Sequence, residues 1–197
     1  MKYEKIFSFT RGCEKIKYGI IYGNEKIVFI KTGIFGNIRG YKDKYPNMAH
    51  RIHERIGATV ICSSNPSMDD KIQHNADKAL IGKVVKECGF GDYEIYFVGT
   101  SDGGYKSLLL CAEFAQTAKY LGINSSHKGL SDFKKRIEQI PYVEKIFVYG
   151  TEDDDYDSIV HDLHSLSCDA MRIISLEGVD HKFTGRVSEF IELIDLL

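Results

Sequence analysis

Short runs of β-branched and aromatic residues alternate with longer segments of helical periodicity along almost the whole chain. That alternation is the strongest constraint on the fold. Lys5 to Thr10 and Lys15 to Tyr22 read as two strands, close enough to pair as a hairpin. KIVFIKTG at 26–33, ATVICSSN at 58–65, YEIYFVG at 93–99, LGINSS at 121–126, EKIFVYG at 144–150 and AMRIISLEG at 170–178 read as further strands. Residues 42–57, 68–88, 105–118, 130–140, 156–166 and 184–197 carry helical spacing between and after them. In the second of these, Met68, Ile72, Ala76, Leu80, Val84 and Val85 share one face. The third, YKSLLLCAEFAQTA, is strongly apolar and free of Gly and Pro, as suits a buried helix. Two opening strands followed by repeated strand–helix units predict an α/β fold. Its core is a mostly parallel sheet of about eight strands with helices on both faces and right-handed crossovers. No repeat, low-complexity segment or linker interrupts residues 1–197, which read as a single domain.

The bulk chemistry narrows the function. With 43% hydrophobic and 27% charged residues the chain has the composition of a folded globular protein. A net charge of −2 with no long block of either sign offers nothing to a nucleic acid or an anionic membrane. The five cysteines are widely spaced and contain no Cys-x-x-Cys pair, which speaks against a disulfide framework or a zinc site. No metal or cofactor is expected, and a reducing cytoplasm is the expected compartment. The first ten residues, MKYEKIFSFT, lack the apolar core of a secretory signal. No run approaches the ~18 apolar residues that a membrane-spanning helix needs.

In such sheets, ligands sit at loops leaving the C-terminal ends of the strands. Three of these loops carry chemistry. VGTSDGG at 98–104 contains Gly99-x-Ser101-x-Gly103 between a strand and a helix. This is the setting in which a nucleophilic serine is held on a sharp turn. A glycine-rich turn before a helix, serving as a phosphate cradle, is the other reading of the same residues. TEDDD at 151–155 follows a strand and offers Asp153, with Asp154 and Asp155 as alternatives for an acid that orients a histidine. Isolated from the rest, three aspartates also suit a helix cap or a solvated loop. GVDHKF places His181 after the last strand, and histidine as a residue type titrates near neutrality, as a general base needs. The pairs His50/His53 and His161/His164 have i, i+3 spacing but no third ligand, and read with His74 as solvated helix faces. Ser, Asp and His thus follow different strands in the chain order of a hydrolase triad.

At these loops the sequence resembles the α/β-hydrolase superfamily in its small, lidless form. VGTSDGG resembles the nucleophile elbow, FVYGTEDD the strand delivering the acid, and LEGVDHKF the histidine loop with an aromatic residue shortly after. FIKTGIFG resembles the segment that usually reads His-Gly and supplies an oxyanion-hole amide. Thr32 stands where that histidine is usual, and Thr100 where one often precedes the nucleophile. The resemblance implies a three-layer sandwich without a cap domain. It implies Ser101 as nucleophile, His181 as base, Asp153 as acid, and the backbone N–H groups of Ile34 and Asp102 as oxyanion donors. The expected partner is a small-molecule ester, thioester or amide, small or polar and not a long fatty chain. An acyltransferase using the same triad and a non-catalytic binding or scaffold protein are the alternatives. Phe35, Asn37, Arg39, Asn65, Tyr105, Ser125, Ser126, His127 and Tyr156 are candidates for the cleft mouth.

Overall fold

The structure is a computed structural model that describes residues 1–126, 130–166, 168 and 170–197. Eight strands form one sheet: β1 (Lys5–Arg11), β2 (Glu14–Ile21), β3 (Asn24–Lys31), β4 (Ala58–Ser63), β5 (Glu94–Thr100), β6 (Thr117–Ile123), β7 (Glu144–Gly150) and β8 (Met171–Leu176). Their order across the sheet is β1-β2-β4-β3-β5-β6-β7-β8. The expected hairpin forms, with β1 antiparallel to β2 and β2 antiparallel to β4. From β4 through β8 every pairing is parallel, so the C-terminal ends of β3 to β8 lie along one edge.

The alternation of side chains along each strand builds two cores. Phe29, Phe97, Tyr120 and Phe147 point to one face, where they meet α2 (Asp70–Cys88), α3 (Asp102–Cys111), α4 (Leu130–Glu138) and α5 (Tyr156–His164). Val28, Val98, Leu121 and Val148 point to the other, beneath α1 (Lys44–Ile56) and α6 (Val187–Glu192). The central strands are apolar on both faces because both are covered. The result is the expected three-layer sandwich, and among the described residues no inserted cap domain covers its edge.

Two helix expectations change. The helix expected over 105–118 begins earlier, at Asp102, and ends at Cys111. Its first turn contains Gly103 and Gly104, which helical propensity argues against but close packing demands. At the other end the Thr117 hydroxyl donates to the carbonyls of Cys111 and Phe114, closing the turn, and the chain pairs with β5 instead of continuing as helix. The terminal helix of 184–197 is shorter, α6 followed by a 3-10 turn at Leu193–Leu196. The expected face of α2 does pack on the core, and Gln73 and Asp77 are buried beside Leu80, Ile81 and Val84. Asp77 is there to meet Lys31, whose ammonium contacts Asp77 Oδ2 at 2.7 Å while both side chains are sealed from solvent. Ser63 Oγ and the Ser64 carbonyl accept its remaining donors at 3.0 Å.

Candidate active site

β5 runs straight into Ser101, which has φ 54° and ψ −129°, a conformation L-residues rarely adopt. Three backbone bonds hold it there. Its N–H donates to the Ile123 carbonyl at 2.9 Å, and its carbonyl accepts from Gly104 at 2.8 Å and Ser126 at 3.1 Å. Close packing explains the flanking glycines. A Cβ on Gly99 would lie 2.4 Å from the Gly103 carbonyl oxygen, and one on Gly103 would lie 2.2 Å from that of Thr32. Ser101 precedes α3 in the position where serine commonly caps a helix, yet its side chain makes no capping bond. The hydroxyl is turned instead towards His181, with Oγ to Nε2 at 2.9 Å.

His181 lies in the loop between β8 and α6. The Asp180 carboxylate accepts from the N–H groups of Lys182 (3.1 Å) and Thr184 (2.8 Å), which tightens that loop. The bonds from Thr184 hold Asp180 below the usual carboxylate range. Asn124, at the end of β6, ties the loop to the sheet. Its Nδ2 donates to the carbonyls of Asp180 and His181 at 3.3 and 3.0 Å, while its Oδ1 accepts from the Gly150 N–H at 2.9 Å. Of the three aspartates, Asp153 is the one turned inward. Its Oδ2 lies 2.5 Å from His181 Nδ1, with 5% of its side chain exposed against 44% for the histidine. Asp154 and Asp155 are exposed. A proton on Nδ1 facing the carboxylate leaves Nε2 as an acceptor facing the serine hydroxyl. The three side chains therefore form one chain of contacts, from Ser101 through His181 to Asp153.

The segment after β3 lies directly against the serine. A Cβ on Gly33 would be 3.3 Å from Ser101 Cβ. A turn follows in which the Gly36 N–H donates to the Gly33 carbonyl at 2.8 Å, and Phe35 takes a positive φ. Ile34 sits in this turn, and Asp102 opens α3 beside it, both next to Ser101. The Asp102 side chain faces away into a buried network: Asn65 Nδ2 donates to Oδ2 at 2.9 Å, and Lys106 Nζ reaches Asp102 at 3.0 Å, Asn65 Oδ1 at 2.7 Å and Asp70 at 2.9 Å. The Thr32 hydroxyl, where the resemblance anticipates histidine, is buried with no hydrogen-bond partner among the described residues.

A cleft of about 360 Å³ opens at Ser101 and His181, lined also by Asn37, Tyr41, Lys44 and Lys182. A second hollow of about 280 Å³ lies across Ile34, with Phe35, Asp102 and Lys106 on its wall. Of the candidate mouth residues, Asn37 and Phe35 line these hollows. Arg39 is exposed and pairs with Asp43 at 2.7 Å. Asn65 and Ser125 are buried beneath the floor, Tyr105 bonds Asp132, and Tyr156 bonds Ser175. His127 lies outside the described residues. Sequence reasoning missed Asn124, Lys44 and Lys182. His50 contacts the Lys2 carbonyl and His53 that of Ala58, so each ring has a local partner. Among the described residues no group of three His, Cys, Asp or Glu side chains could hold a metal ion, and no helix is long and apolar enough to cross a membrane.

No protein-family model matches the sequence, and no curated protein matches it. Solved structures do. An alpha-beta serine hydrolase homologue from Coxiella burnetii superimposes with a TM-score of 0.72 at 15% identity, over 98% of this chain and 97% of that one. Est1E from Butyrivibrio proteoclasticus gives 0.73 at 12% identity, over 97% and 96%. An α/β serine hydrolase without a lid from Xanthomonas campestris gives 0.72 at 14% identity, over 98% and 93%. At such identities the likeness is one of fold, and it spans nearly the entire chain: this protein has the α/β-hydrolase fold.

Proposed function

We propose that the chain is a serine hydrolase that cleaves a small or polar ester, thioester or amide through an acyl-enzyme. The observation that carries the reading is the contact chain of Ser101 Oγ, His181 Nε2 and Nδ1, and Asp153 Oδ2, at 2.9 and 2.5 Å. Ser101 Oγ attacks the carbonyl carbon as His181 Nε2 removes its proton. Asp153 holds the Nδ1–H tautomer and stabilises the imidazolium that forms. The tetrahedral oxyanion sits against the N–H groups of Ile34 and Asp102, each worth about 3 kcal/mol in the transition state. Collapse breaks the bond to the leaving group, which takes the proton from His181. A water molecule, deprotonated by the same imidazole, then attacks the acyl-enzyme, and collapse releases the acid and restores the serine.

The setting of these residues suits that chemistry. A φ of 54° at Ser101 projects the hydroxyl out of the sheet edge, and the glycines around it let β3, β5 and α3 converge there. A cleft of about 360 Å³ fits a short acyl group and is open to water as acceptor. The test is turnover of p-nitrophenyl acetate and butyrate by the full chain. Ser101→Ala should lower kcat/KM by at least about 10³-fold with the fold intact. Turnover that survives Ser101→Ala would assign the activity elsewhere. No turnover by the folded wild-type protein would favour the scaffold reading.

A further inference from the structure

The charges around the cleft are one-sided. Among the described residues its wall carries two cations, Lys44 and Lys182, and no carboxylate. The carboxylates nearby are otherwise engaged. Asp43 is held by Arg39 Nε and Nη2 at 2.7 and 3.0 Å. Asp180 is turned back onto the N–H groups of its own loop. Asp153 is bound behind His181. Across Ile34, Asp70 and Asp102 converge on Lys106. Among the described residues neither Lys44 nor Lys182 has an ion-pair partner within salt-bridge distance. Lys44 is also fixed in place: its ammonium lies 4.0 Å from the centre of the Phe190 ring and 5.3 Å from that of Tyr45. A lysine confined against aromatic rings at the wall of a cleft, with no carboxylate within ion-pair distance among the described residues, is a site waiting for an anion.

We propose that the cleft selects acyl substrates bearing an anionic group, a carboxylate or a phosphate, which Lys44 and Lys182 hold while Ser101 attacks the carbonyl. This rests on the hydrolase reading above and names its substrate class. Partial burial supports it, because it pushes the Lys44 ammonium down to about 8 and Asp180 restores only part of the loss. An anion in the cleft supplies the missing charge. Arg39, the arginine among the candidate mouth residues, is already paired and does not line the cleft. Lysine is a point-charge donor and suits either anion, so the two are separated by experiment.

The experiment uses p-nitrophenyl esters that share an acyl backbone and differ in the group at its far end: valerate, hemiglutarate, and the phosphonate analogue of hemiglutarate. The full chain should hydrolyse one of the anionic esters with a kcat/KM about tenfold above that of valerate at low salt. This preference should collapse at about 0.5 M NaCl, where screening is strong. Whichever anion is preferred names the group. Lys44→Gln and Lys182→Gln should each shrink the ratio several-fold, and the double variant should bring it to about one. A wild-type ratio at or below one for both anions, or a preference that survives the double variant, overturns the proposal while leaving the hydrolase reading standing. A folded protein that turns over none of the three esters removes both.

Discussion

At the residue scale, the three side chains proposed as the triad were legible because each sits where a strand ends, and glycines mark two of those ends. Asp153 was one of three adjacent aspartates in the sequence. Burial separates it from the exposed Asp154 and Asp155, and burial depends on how Gly150 packs against Val179 from a distant part of the chain. Asp153→Asn should therefore lower ester turnover by up to ~10⁴-fold, whereas Asp154→Asn should leave it within about twofold. The reverse order would move the acid by one residue. Asn124 was invisible in the sequence, since an asparagine after a strand is ordinary turn chemistry. Its three bonds join the His181 loop to the end of β7, which makes it a positioning residue. Asn124→Ala should cut kcat by about 10- to 100-fold, with KM nearly unchanged, because small displacements of a general base are costly. A loss confined to KM would contradict that role.

At the element scale, what sequence patterning reads well is strands and the existence of helices. Their ends follow from tertiary pairing. α3 carries two glycines in its first turn because the end of β3 and Ser125 after β6 crowd it, and it stops at Cys111 because residues from Thr117 onward have a neighbouring strand to join. The apolar face of α2 was legible, but the buried polar residues beside it were not. Asp77 looks like a solvent residue in a helical pattern, but it lies under the sheet against Lys31. Burial pushes the Lys31 ammonium down from its usual range, and Asp77 offsets part of that. Removing the carboxylate alone strands a buried cation. Asp77→Ala should cost about 3–5 kcal/mol in denaturant unfolding, while the paired change Lys31→Met with Asp77→Leu should be neutral or stabilising. If the single and paired variants unfold alike, the pair does not set the stability of this face.

At the scale of the whole molecule, the parallel half of the sheet gathers the ends of β3, β5, β7 and β8 along one edge. That is why residues 34, 101, 153 and 181 meet although they are far apart in sequence. The architecture was readable from the strand–helix alternation, but the electrostatics of the cleft were not. Lys44 belongs to α1, Lys182 to the loop before α6, and only the finished fold brings both beside Ser101. The charged groups near Lys44 are Asp43, paired with Arg39, and Asp180 and Lys182 from the facing loop. Lys44 carries its charge below about pH 8 and loses it above, so the preference for an anionic ester over its neutral counterpart should weaken as pH rises through that value. Lys44→Gln should remove that pH dependence. The most direct measurement of the central claim is peptide mapping after exposure of the full chain to a fluorophosphonate probe. The expected result is one adduct, on Ser101, forming rapidly in the wild-type protein and far more slowly in His181→Ala. An adduct on another residue, or no adduct on a folded chain, would contradict it.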